Sequence, residues 1–305
     1  MQTFELVPRG PFSLAASRRF LEGFAPAAYD GGEARGAHLH LAFAVEGTWE
    51  PVGVCVRERD GTVVGEVAGQ ADLAAVRTQV RRILSLDVDG SGFAAVGDRD
   101  PVIARLQRRY PGLRPVGFCS PYEAAAWTLI GRRIRIVQAA GIKQRMAEQL
   151  GDPVRLHGQT LHAFPGPARL RSLDAFSGLS GRKVDYLGSL AEATLRGRLD
   201  AQRLRAQPRP EALSDLRRLP GVGPFSAELV LLRGAGDPDH VPLHERRLRT
   251  AVRRAYDLAA DPGDDQLRDI AEGWRPYRTW ATLLLRADLE EQTGEIAGRR
   301  PRAAG

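Results

Sequence analysis

Apolar and polar positions alternate with a two-residue period in three stretches of the first third of the chain. These are His38-Leu-His-Leu-Ala-Phe-Ala-Val45, Val52-Gly-Val-Cys-Val56 and Thr62-Val-Val-Gly-Glu-Val67. That period, the β-rich composition and the Gly and Asp turn signals between the runs predict short strands. Pro11 to Phe20 reads as a short helix. Asp72 is placed to cap a second one, with apolar residues at Leu73, Val76, Val80, Ile83 and Leu84. A small antiparallel sheet covered by helices is the economical way to bury both sets.

From about Ser120 the period changes to that of helices. Ser120-Pro-Tyr-Glu123 is a capping box with proline at the first helical position, so a helix starts there. It runs through Trp127, Leu129 and Ile130 to a break at Gly131, and a second helix follows from about Ile134 to Leu150. Residues 153–167 read as loop-rich, and 170–176, 181–195 and 201–205 as short helices. Further helices are predicted over 211–218, 246–258, 264–270 and 276–291. No repeat or low-complexity tract interrupts the pattern, and residues 298–305 read as a frayed basic tail.

The most specific string is Leu219-Pro-Gly-Val-Gly-Pro-Phe-Ser-Ala-Glu-Leu-Val-Leu-Leu-Arg-Gly234. Gly221 and Gly223 suit the positive φ angles of a tight turn and leave the backbone bare for close approach. Pro224 sits where its missing N–H costs nothing, and the helix is expected to run from Phe225 to Arg233 and end at a left-handed Gly234. Helix, glycine turn, helix is a helix-hairpin-helix, whose exposed amides and helix N-terminus suit a phosphate. A lone Gly-x-Gly is usually only a turn; the flanking prolines and the apolar, Arg-ended helix favour nucleic-acid backbone.

Composition sharpens this reading. The 305 residues leave room for about two domains. No window approaches the roughly 18 apolar residues of a membrane span, and the N-terminus lacks the pattern of a signal peptide, so a soluble, intracellular protein is expected. Cys55 and Cys119 are too few for a disulfide framework or an iron–sulfur cluster and read as small buried hydrophobes. The net charge of +7 is almost entirely arginine excess, Lys143 and Lys183 being the only lysines. It suits a polyanionic partner because it accompanies a phosphate-binding turn.

Together these segments resemble the alkylated-base DNA glycosylases, the DNA-3-methyladenine glycosylase II group of the helix-hairpin-helix glycosylase superfamily. The resemblance covers nearly the whole chain. Residues Leu84–Asp89, Asp100–Leu106 and Pro111–Pro115 are similar to the family's junction segment. Ser120–Glu123 is similar to the opening of its helical domain, Leu219–Glu228 to its hairpin and Trp274–Arg278 to its C-terminal helix. The implied fold is α+β: an N-terminal antiparallel sheet with helices like a TATA-binding-protein half (1–115), an all-helical glycosylase region (116–295, hairpin at 211–234) and the tail (296–305).

The implied activity is monofunctional. A damaged base is flipped from duplex DNA and its N-glycosidic bond hydrolysed, with an ionised carboxylate beside the cationic sugar. No metal is implied in the chemistry and no cofactor beyond a structural monovalent cation at the hairpin. The expected partner is damaged duplex DNA, bound by a monomer in the cytoplasm, at the nucleoid. Gapless alignment of residues 236–252 puts Glu245 where the family carries its catalytic aspartate; a one-residue shift would put His244 there, and Asp237 and Asp239 are outside candidates. A glutamate in that place also suits a helix N-terminus on its own account.

Phe225 stands where lyase members carry a lysine, which excludes a Schiff base. Phe225, Leu229, Trp274 and Tyr277 are the implied pocket residues; Leu229 replaces an aromatic common in the family, and Phe225 and Trp274 also suit a core. Gly221, Val222, Gly223, Ser226, Arg132 and Arg133 are the implied DNA contacts, with the two arginines replacing the family's Gln and wedge residues. The departures at Glu245, Leu229 and Arg133 keep open a second reading, a damaged-DNA-binding protein that cuts no bond or has altered specificity.

Overall fold

A computed structural model of the chain describes residues 1–22 and 38–294. The basic tail, 296–305, lies outside the described residues. In chain order the first part contains β1 (Gln2–Leu6), α1 (Leu14–Glu22), β2 (His38–Ala44), β3 (Pro51–Arg59), β4 (Thr62–Ala68) and α2 (Leu73–Ile83). The strands form one antiparallel sheet in the order β1-β4-β3-β2. Its inner face (Phe4, Leu39, Phe43, Val52, Val54, Val56, Val63, Val67) packs on Leu14 and Leu21 of α1 and Val76, Val80 and Ile83 of α2. Asp72 caps α2 as expected, its carboxylate accepting from the Ala75 amide at 2.9 Å.

The helical part begins with α3 (Ala94–Arg99) and α4 (Pro101–Arg109) and continues with α5 (Pro121–Ile130) and α6 (Ile136–Leu150). A two-stranded hairpin follows, β5 (Pro153–Leu156) and β6 (Gln159–His162), then α7 (Pro167–Arg171), α8 (Gly181–Leu195), α9 (Ala201–Ala206), α10 (Arg209–Arg217) and α11 (Pro224–Leu229). The last three are α12 (Arg246–Ala255), α13 (Asp264–Glu272) and α14 (Arg278–Thr293). Among the described residues no helix is long and apolar enough to cross a membrane.

Two apolar cores organise these helices. One joins α5, α6, α8, α10 and α11 around Leu129, Ile142, Leu187, Leu216 and Val230. The other joins α4 to α12, α13 and α14 around Ile103, Leu106, Leu248, Leu267, Trp274 and Leu284. Residues 94–109, which precede the division at 115, thus share their core with the C-terminal helices.

Between sheet and helices lies Arg114, only 1% exposed. Its guanidinium donates to the carbonyls of Arg9, Gly10, Pro11, Ser85 and Val88 and lies 5.0 Å over the Trp280 ring. Burial pushes its pKa down to about 10. One side chain therefore ties the strand β1 exit, the α2 exit and α14 together.

The structure corrects two expectations and adds a strand, β1. The stretch 153–167 contains the β5–β6 hairpin, in which Val154 and Leu156 are buried and pack against Gly53 of β3, while Pro153 and Arg155 face out. Its two-residue turn, His157-Gly158, has both φ angles positive (49° and 78°). A histidine stands where Asn or Asp would have signalled the turn. Strand β1 is short and terminal, and only Phe4 and Leu6 carry its pattern. The 170–176 helix is displaced to Pro167–Arg171, started by a proline at its first turn.

Candidate functional site

The hairpin connects α10 to α11 through Leu219–Gly223. Gly221 adopts φ +83°, and a Cβ there would lie 2.6 Å from Tyr186 and 2.8 Å from Leu129, so only glycine fits. Gly223 instead is extended (φ −93°, ψ −178°) and serves as N-cap of α11, with open space around it. The positive φ expected at both glycines is needed at one; the other contributes a bare backbone. Val222 is buried and its amide turns inward to the Leu219 carbonyl at 3.0 Å. Ser226 is half-buried in the first turn of α11, where backbone N–H groups have no intrahelical partner.

Arg132 and Arg133 lie beside this turn, both exposed. Arg132 donates to the Gly221 carbonyl at 3.1 Å and lies 5.9 Å over the Tyr186 ring. Arg133 has a left-handed backbone (φ 57°). The neighbouring Lys183 closes the end of α5 by donating to the Ile130 carbonyl at 2.7 Å. Val137, in the first turn of α6, is 68% exposed, an apolar side chain next to the basic loop that the sequence reading passed over.

Helix α11 does not run straight to Arg233. It passes into a π-helical turn over Val230–Gly234, closed by the Ala235 amide on the Val230 carbonyl at 2.9 Å. Gly234 is not left-handed; the positive φ falls at Gly236. What Gly234 supplies is space, since a Cβ would lie 2.7 Å from Pro121 of α5.

The segment from Gly236 to Glu245 is pinned from both sides. Asp237 pairs with Arg209 at 2.6 Å and accepts the Asp239 amide. Burial alone would raise its pKa, but these bonds outweigh that and hold it low. Asp239 is clamped by Arg278 (2.8 and 2.9 Å) and Arg275. Both aspartates are thus occupied in fixing the loop.

Glu228 of α11 was not singled out from sequence. It is 4% exposed and accepts both the amide (3.1 Å) and Nδ1 (2.9 Å) of His244, with His240 Nε2 3.6 Å away. Burial opposes its ionisation, but the histidine hydrogen bonds prevail and lower its pKa. The signal was a lone acid inside the apolar run Ala227–Leu232. Helical spacing puts Phe225, Glu228 and Leu229 on one face of α11, so the bond to His244 turns that face toward the segment ending in Glu245. Phe225 is 45% exposed and Leu229 half-buried.

Glu245 is the N-cap of α12 but makes no side-chain cap bond. Its carboxylate forms an ion pair with Arg286 of α14, both side chains about one-fifth exposed. Trp274 and Tyr277 lie elsewhere. Trp274 has no exposed surface and donates from its indole to Asp100 at 3.0 Å. Tyr277 is 7% exposed, packs on Phe93 and Trp280, and donates to the Asp89 carbonyl at 2.6 Å. The stacking surface expected of these two rings is taken up by the core.

No family model matches the chain. It is 26% identical over 204 residues to a DNA-3-methyladenine glycosylase of Bacillus subtilis, covering 66% of this chain and 67% of that protein. It is 30% identical over 232 residues to a probable bifunctional transcriptional activator/DNA repair enzyme AlkA of Mycobacterium tuberculosis, covering 73% of this chain but 45% of that one. The 3-methyladenine DNA-glycosylase structure from Archaeoglobus fulgidus superimposes with a TM-score of 0.78 at 21% identity, over 95% of this chain and 98% of the other. The chain is thus similar in sequence to DNA-3-methyladenine glycosylases over about two thirds to three quarters of its length, and it shares the fold of one over nearly all of it. Within that scaffold, the hairpin, the Arg132–Arg133 loop and the Glu228–Glu245 region are built here from the residues just described.

Proposed function

We propose that the protein is a monofunctional DNA glycosylase that takes an alkylated base out of duplex DNA and hydrolyses its N-glycosidic bond in base excision repair. The observation that carries this reading is the pairing of a phosphate-ready hairpin with a carboxylate, Glu245, at the head of α12, with Phe225 and Leu229 on the α11 face that looks toward it. The hairpin amides of Gly221 and Gly223 and the arginines at 132 and 133 hold the backbone, offsetting the cost of unstacking the base. The base presents its face to Phe225 and Leu229.

An alkylated purine is already cationic, so it departs as a neutral base when the bond to C1′ breaks. The positive charge passes to the sugar, where Glu245 stabilises it until water adds at C1′ and loses a proton, leaving an abasic site. Unit charges about 4 Å apart are worth about 4 kcal/mol at an effective dielectric near 20. Glutamate in place of aspartate moves that charge by one methylene, and a shift of about 1 Å at a reacting centre costs on the order of 10²-fold. A monovalent cation at the hairpin would have to share the Gly221 carbonyl with Arg132.

A second reading draws on the Glu245–Arg286 ion pair. An arginine against the carboxylate reduces the net field a sugar cation would feel, which suits a damaged-DNA binder that cuts no bond. Duplexes carrying 3-methyladenine, 7-methylguanine, hypoxanthine or ethenoadenine separate the two. Release of an alkylated base at a rate above that of an equal amount of heat-inactivated protein supports the glycosylase. Tight binding of the lesion duplexes with no base released from any of them supports the binder.

A further inference from the structure

On the outer face of the sheet the strand register lines up His40 of β2, Cys55 of β3 and Glu66 of β4 in one lateral row. The β5–β6 hairpin lies over this face and brings His157, at the tip of its turn, onto the row. One donor atom each from His40, Cys55 and His157 come within 4.8 Å of one another. His40 Nδ1 bonds the Gln159 side chain at 3.2 Å, while its Nε2 is buried and has no partner. A buried imidazole nitrogen without a partner is a costly feature in a protein interior.

His157 Nε2 donates to Glu66 at 2.9 Å, and Glu66 is held in turn by Arg57 at 3.4 Å. A carboxylate behind a histidine is the arrangement that orients imidazole ligands on metals. The His38 ring stacks on His40 with centroids 4.9 Å apart.

We propose that His40, Cys55 and His157 form a three-donor site for a thiolate-binding d10 cation of the Zn2+ type, which clasps the β5–β6 hairpin to the sheet. A thiolate with two imidazoles is a donor set that suits zinc. Tetrahedral bonds of about 2.0–2.3 Å bring donors to about 3.4–3.8 Å from one another, so the cluster needs to close by no more than about 1.4 Å on binding. His157, on a turn at the surface, is the part free to move. The Cys55 thiol proton is released to solvent as the metal–sulfur bond forms. Glu66 orients His157, and the fourth position is left to water or His38.

The test uses the full, untagged chain with Co2+ as spectroscopic probe and Zn2+ as competitor. Expected are one Co2+ per chain, a thiolate-to-cobalt band displaced by Zn2+, and a rise in Tm with Zn2+. Cys55→Ser removes the band and Cys119→Ala keeps it. His157→Asn, which suits the left-handed backbone of the turn, lowers Zn2+ affinity at least tenfold and abolishes the Tm rise. The proposal is overturned if the wild type binds no stoichiometric metal, if the band survives Cys55→Ser, or if His157→Asn binds Zn2+ as wild type does.

Discussion

At the scale of single residues the hairpin turns on Gly221. Its φ of +83° and the contacts its missing Cβ would make with Tyr186 and Leu129 leave no room for a side chain. Gly221→Ala is expected to destabilise the fold by about 1–3 kcal/mol and to weaken duplex binding several-fold, read by urea unfolding and by fluorescence anisotropy. Gly223→Ala, with extended backbone and open surroundings, leaves stability within about 0.5 kcal/mol. The need for glycine in this turn was legible in the sequence, because Gly-x-Gly between prolines has few other uses. Which of the two glycines bears the positive φ was not, since that depends on Tyr186 coming from another helix. The same holds for Trp274 and Tyr277, whose aromatic character is evident in sequence but whose burial follows from Asp100 and Asp89 far away in the chain.

At the scale of elements, the link between α11 and α12 is governed by Glu228. Its carboxylate holds His244, the residue before Glu245, by two hydrogen bonds. Because its pKa is lowered in the folded protein from an ordinary value of 4.5, the folded state takes up that proton less readily than the unfolded chain. The stabilisation is therefore complete above about pH 4.5 and is lost as pH falls through the folded pKa. Wild type should lose Tm between neutral pH and pH 3 more steeply than Glu228→Gln, which keeps the shape but not the charge; equal slopes would remove Glu228 from this role. The same variant should lower base release while leaving duplex affinity within about threefold, because Glu228 acts through the segment it holds. Sequence periodicity located α11 and α12 but concealed the π-helical turn over Val230–Gly234, since a π turn changes the register without changing the composition. It concealed the β5–β6 hairpin for a related reason: four-residue strands carry only two inward positions each.

At the scale of the whole molecule, both lysines and the most buried arginine among the described residues are structural. Lys143 pairs with Glu123 at 2.7 Å inside the helical core, Lys183 closes α5, and Arg114 joins sheet to helices through five carbonyls. Arg114→Met is expected to cost about 3 kcal/mol or more, since it leaves buried carbonyls without donors; Arg114→Lys should recover only part, a single ammonium being unable to span the same fork. Urea unfolding measures both. The basic balance that suggested a polyanionic partner is thus partly internal, and Arg132 and Arg133 are among the exposed arginines beside the hairpin. The general architecture was readable from patterning and from the family resemblance, whereas the shared core of α4 with α12–α14 depends on contacts more than a hundred residues apart. In the proposed function Glu245, despite its extra methylene and its pairing with Arg286, supplies the charge that stabilises the sugar cation. The most direct measurement of that role is single-turnover release of 3-methyladenine or 7-methylguanine from a saturating duplex by wild type and Glu245→Gln. A fall of about 10²-fold or more is expected for the Gln variant with duplex affinity unchanged; release at the wild-type rate would remove Glu245 from the chemistry.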